Sequence, residues 1–140
     1  MSEREVVVLS GVRSAIADFG GSLKDMPPTE VAGQVIAEAV SRSGLQADDI
    51  GHVVVGNVTH SDRRDMYMSR TAALRAGLPI ETPALTVNRL CGSGLQAVIS
   101  AAQMILLDDC DAAVAGGAES MSRVPYWLPN ARFGERMGDG

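Results

Sequence analysis

The chain has 140 residues, 46% of them hydrophobic and 21% charged, the balance of a soluble globular domain and not of a disordered tail or a collagen-like repeat. A net charge of −5 speaks against a nucleic-acid partner, because phosphate backbones require a basic surface. Two cysteines, Cys91 and Cys110, are too few for a disulfide-stapled secreted module and suggest a reducing, cytosolic setting.

The opening MSEREVVVLSG has charges at Glu3, Arg4 and Glu5 and only a short apolar run, which is not the pattern of a signal peptide. The uncharged stretch from Leu90 to Leu107 contains Gly92, Ser93, Gly94, Gln96, Ser100 and Gln103, too many polar groups and glycines for a membrane span. Small residues dominate, with 18 alanines and 15 glycines. They let helices lie close on a sheet and favour a tightly layered α/β protein.

In chain order, Glu5 to Ser10 (EVVVLS) reads as a strand buried on both faces. After a glycine-bearing loop, Thr29 stands as a helix N-cap behind Pro27 and Pro28. Val31, Ala32, Val35, Ile36, Ala39 and Val40 then form one helical stripe, which Gly44 ends. His52 to Val58 predicts a second buried strand, with Gly56 marking a bulge or a close approach. A second helix is expected over 65–76, closed by Gly77 and Pro79.

Pro83 to Asn88 predicts a third strand, running almost directly into a third helix from Ser93 to Leu107. Asp111 to Ala115 predicts a fourth strand, followed by Gly116 and Gly117. From Glu119 onward (ESMSRVPYWLPNARFGERMGDG) the period is lost, and the segment reads as the start of a long loop region. The alternation gives an α/β fold: a mostly parallel sheet with helices on both faces. Apolar residues surround the third helix, so a further layer is expected to cover it, and the chain reads as incomplete.

Cys91 is the candidate catalytic residue. It sits in NRLCGSGLQA, between a strand and a helix, where free amides and the helix dipole favour a thiolate. Gly92 and Gly94 remove side chains where an acyl group would approach, and strand-turn-helix is the logic of a nucleophile elbow. The residues alone leave open that Cys91 is simply a small apolar side chain. Cys110 lies among Asp108, Asp109 and Asp111, which would raise its pKa and leave it passive. His52 and His60 have no metal-ligand spacing, so no metal site is expected. The glycines at 92 and 94 do not complete a dinucleotide fingerprint.

Three motifs together resemble the thiolases: SGVRSAIADFGGSLKD near the start, NRLCGSGLQA, and VAGGAESMS after the third helix. With DMYMSR, the pattern looks closest to bacterial β-ketothiolases. The resemblance implies acyl transfer between acyl-CoA and coenzyme A, with coenzyme A as substrate and product, not as a tightly bound cofactor. Cys91 would form the acyl-enzyme and its backbone N–H would belong to an oxyanion hole. The fold implied is two similar lobes with the nucleophile helix between them, assembled as a dimer or tetramer. Residues 1–120 would belong to the first lobe, and 121–140 would begin its loop-domain insertion.

The family's GHP histidine, its CxGGG cysteine and a water-holding asparagine have no counterparts in these 140 residues, and neither His52 nor His60 stands in a matching motif. Little activity is therefore expected of the segment alone. Two alternatives remain: a ketoacyl-synthase-like condensing enzyme, against which VAGGAESMS argues, and a non-catalytic thiolase-like protein that binds acyl-CoA or a partner lobe.

Overall fold

The computed structural model describes residues 4–134. Three parallel strands form one sheet in the order β2-β1-β3, with β1 at His52–Gly56, β2 at Ala84–Val87 and β3 at Ala113–Gly117. Helices α1 (Pro28–Ser43) and α2 (Met68–Arg75) cover one face, and α3 (Ser93–Leu106) covers the other. No helix among the described residues is long and apolar enough to cross a membrane.

Alternation along β1 divides the core. Val53 and Val55 point toward α1 and α2, where Ile36, Met68, Ala72 and Ala73 are buried. Val54 points the other way, onto Ala97 and Ala101 of α3. The central strand is apolar on both sides because both sides are covered. Ser69 of α2 adds a polar stitch: its Oγ donates to the Leu85 carbonyl at 2.6 Å and accepts the Val55 N–H at 2.9 Å. A helix hydroxyl thereby ties β1 to β2.

Helix ends follow the sequence at their C-termini. Gly44 and Gly77 both adopt left-handed φ angles, 82° and 83°, which glycine takes without a Cβ penalty. The N-terminus of α1 differs from expectation. Thr29 is not its cap; the helix begins at Pro28 after Pro27, with no side-chain cap bond. Proline at the first helical position supplies a preset φ and lacks the amide that a cap would satisfy. Thr29 is instead fully buried inside the first turn.

The larger correction concerns the first predicted strand. Glu5 to Ser10 pairs with no strand among the described residues, and Val7 and Val8 are 61% and 84% exposed. The segment faces β3 across a cavity of about 270 Å³ lined by both, whereas paired strands lie roughly 4.8 Å apart. Its ends are nonetheless pinned. Arg4 donates to the Ile105 carbonyl at 2.9 Å and to Asp111 at 2.6 Å, and Ser10 Oγ donates to the Ala39 carbonyl at 2.7 Å. Beyond β3, the described residues are irregular apart from short 3-10 turns at Met121–Arg123 and Ala131–Phe133. The loop-like reading of 121–134 agrees with this, and 135–140 lie outside the described residues.

Candidate active site

All three strands end on the same side, and the chain after each of them contributes to one constellation. β2 ends at Val87, and five residues, Asn88 to Gly92, lead into α3. Cys91 lies in this elbow and is exposed. The turn is tight: the Gly92 and Ser93 N–H groups donate to the carbonyls of Arg89 and Leu90 at 3.1 and 3.0 Å. Those two amides, expected from the sequence to be free, are thus taken by the elbow itself.

Leu90, immediately before the cysteine, has φ +50°, a left-handed conformation uncommon for a residue with a Cβ. Its N–H donates to Asn88 Oδ1 at 3.0 Å, and its carbonyl accepts from Ser93 Oγ at 2.7 Å. Ser93 Oγ also accepts the Arg89 N–H at 2.8 Å. Arg89 in turn bonds the Gln96 side chain on the first turn of α3.

The elbow sits hard on the sheet. A Cβ added at Gly56 would lie 2.6 Å from the Ser93 carbonyl carbon, and one at Gly117 would lie 3.4 Å from Gly94 Cα. Gly56 marks the close approach the sequence suggested. Gly94 has nothing among the described residues within 4 Å of the place a Cβ would occupy, so that side of the first helical turn is open.

The chain after β1 is held by Glu119, in the loop beyond β3. Its carboxylate accepts the Val58 N–H at 2.9 Å, the Thr59 N–H at 3.0 Å and Asn57 Nδ2 at 3.2 Å. The Val58 carbonyl accepts from Asn88 Nδ2 at 3.3 Å, which joins this loop to the elbow. Asn57 is 1% exposed, and its Oδ1 is buried without a partner among the described residues.

The other residues weighed from sequence lie elsewhere. Cys110 packs on Gly51 at the opposite end of β1, where a Cβ at residue 51 would come within 2.6 Å of it. Burial, then Asp109 and Asp111, pushes its thiol above the ordinary value, against the opposing effect of Arg4; the passive reading of Cys110 agrees with this. His52 starts β1, and His60 is exposed in the following loop. A cavity of about 670 Å³ opens between the loop at 10–26, α1 and the outer edge of β3, and Cys91 does not line it. Asn88, Ser93 and Glu119 were not singled out from sequence. An asparagine two residues before a strained turn, and a serine at the first helical position, are the local signals that could have flagged the first two.

A parallel α/β lobe with an exposed cysteine at a strand-to-helix elbow is the class of protein that fold and site define. Residues 6–140 match the thiolase N-terminal domain family, and the chain belongs to that family. It is 62% identical over 136 residues to beta-ketothiolase BktB of Cupriavidus necator, covering 97% of this chain and 34% of that protein. The crystal structure of the Bacillus anthracis acetyl-CoA acetyltransferase superimposes with a TM-score of 0.89 at 42% identity, over 96% of this chain and 34% of that one. Human mitochondrial 3-ketoacyl-CoA thiolase in complex with CoA gives 0.90 at 38% identity, over 95% and 34%. The chain therefore spans about a third of the length of these relatives, 34%.

Proposed function

We propose that this chain supplies the covalent nucleophile of a β-ketothiolase, an acetyl-CoA C-acyltransferase. The observation that carries the reading is the exposure of Cys91 in a tight elbow between β2 and α3, in a chain 62% identical to a β-ketothiolase. The Cys91 sulfur attacks the carbonyl carbon of an acyl-CoA thioester. The carbon–sulfur bond to coenzyme A breaks, coenzyme A leaves as its thiolate and takes up a proton, and the acyl group stays on Cys91. The acyl–Cys91 bond then breaks in one of two ways. A coenzyme A thiol takes the acyl group and its proton returns to the Cys91 thiolate, or acetyl-CoA loses an α-proton, its carbanion takes the acyl group with formation of a carbon–carbon bond, and that proton restores the Cys91 thiol. The Cys91 N–H serves in the oxyanion hole.

Residues 1–120 belong in this reading to the nucleophile-bearing lobe, and 121–140 begin the loop-domain insertion. Acyl-CoA and coenzyme A are its small-molecule partners, a dimer or tetramer its assembly, and the cytoplasm its location. The test is intact mass after incubation of the purified protein with acetyl-CoA. A single acetyl adduct is expected, mapped to Cys91 and absent from Cys91→Ala. An adduct elsewhere, or none in a folded protein that contains all the family's motifs, would overturn the assignment.

A further inference from the structure

We propose that Asn88 and Ser93 are positioning residues for Cys91, acting by holding Leu90 in its left-handed conformation. The consequence for turnover rests on the acyl-transfer reading of Cys91; the conformational part does not. Leu90 has φ +50°, a region that costs an L residue free energy unless the surroundings impose it. Packing by the described residues does not impose it, because Leu90 is 68% exposed among them. Its backbone is gripped instead. Asn88 Oδ1 accepts the Leu90 N–H at 3.0 Å, and Ser93 Oγ donates to the Leu90 carbonyl at 2.7 Å.

Both clamps are themselves anchored. Asn88 Nδ2 donates to the Val58 carbonyl at 3.3 Å, and the Val58 N–H donates to Glu119 at 2.9 Å. Ser93 is 5% exposed, accepts the Arg89 N–H at 2.8 Å and sits with its backbone on Gly56. The peptide leading into Cys91 is therefore tied to the chain beyond the ends of all three strands. Release of Leu90 into the ordinary φ region would turn that peptide and swing the Cys91 side chain away from its place at the start of α3. Neither Asn88 nor Ser93 has to touch substrate for this.

The test uses Asn88→Ala and Ser93→Ala in the purified protein that contains all the family's motifs, each with and without Leu90→Gly, and Leu90→Gly alone as the control. Iodoacetamide alkylation of Cys91 is followed with Cys110 as internal reference, alongside thermal unfolding and the kcat and KM of acetoacetyl-CoA thiolysis. Each alanine variant is expected to slow Cys91 alkylation and lower kcat about tenfold, with KM within about twofold, the size of effect that loss of one backbone restraint supports. Leu90→Gly should restore most of the alkylation rate in the Asn88→Ala background, because glycine enters the left-handed region freely. A merely structural role would lower the unfolding temperature without rescue by glycine. Folded alanine variants that alkylate at the wild-type rate, or failure of glycine to restore it, would overturn the proposal. Asn88 is exposed, so its variant keeps the test decisive if Ser93→Ala does not fold. A wild type that alkylates at Cys91 yet forms no acetyl adduct would refute acyl transfer and leave the clamp to be judged on alkylation alone.

Discussion

Ser93 rests on Gly56 with no room for even a methyl group between them: a Cβ at residue 56 would lie 2.6 Å from the Ser93 carbonyl carbon and 2.7 Å from its Cβ. The contact sets the height at which α3, and the elbow before it, stands above the sheet. Gly56→Ala should therefore force backbone apart, at a cost of about 1–3 kcal/mol for overpacking. Denaturant unfolding measures the stability loss, and slower Cys91 alkylation in the still-folded variant reports the displaced elbow. A fully stable variant with unchanged alkylation would contradict the contact.

The two cysteines should separate cleanly by reagent. Cys91 is exposed, whereas Cys110 is half-buried and its thiol is pushed up by burial, Asp109 and Asp111. At neutral pH, iodoacetamide is expected to label Cys91 well before Cys110, since the thiolate is the reacting form. Asp109→Asn removes one negative neighbour and should accelerate labelling of Cys110 while leaving Cys91 unchanged. Peptide mapping of a labelling time course gives both rates.

Acid stability should depend on Asp62. Its carboxyl is held down to about 2 from the usual 3.8, first by the side-chain bond from Arg64 and then by that residue's backbone N–H. A carboxylate depressed in the folded state contributes stability that is present above its unfolded pKa and is lost as pH falls through its folded one. The window is therefore from about pH 4 down to about pH 2. Asp62→Asn should flatten the fall of the unfolding temperature across that interval. Equal slopes for the two proteins would show that the Arg64 pair carries no such contribution.

Residues 1–140 expressed by themselves should self-associate. On the outer side of α3, Leu95, Val98, Ile99 and Leu106 are 69%, 46%, 43% and 52% exposed, a contiguous apolar surface of the kind that drives association. Burying each such side chain is worth roughly 1.5–3 kcal/mol. Light scattering during size exclusion should show aggregates, and Leu95→Lys with Leu106→Lys should reduce them. A monomer that unfolds cooperatively without these changes would count against this surface as the cause.

Much of the architecture was legible in local pattern. The helical stripe from Val31 to Val40, the continuous valines at 53–55 and the glycines at 44 and 77 each specify an element or its end through short-range sterics and periodicity. The placement of Cys91 between a strand and a helix followed from the same signals, and so did the acidic surroundings of Cys110. Family membership followed from three motifs in order.

Tertiary structure decided what depends on partners distant in sequence. Glu5 to Ser10 has the composition of a buried strand, yet a strand exists only where another backbone lies at ladder distance, and the β3 edge stands off across a cavity. Thr29 has the chemistry of a cap, but two prolines start the helix two residues earlier, with Pro27 in the cap position, and leave Thr29 buried. Asn88 and Ser93 grip Leu90 locally, but the bonds that anchor this grip, from Asn88 Nδ2 to the Val58 carbonyl and from the Val58 N–H to Glu119, join segments that only the sheet brings together. Periodicity encodes which face of an element is apolar. It does not encode which distant carbonyl a side chain will meet, because that distance is set by how the layers pack.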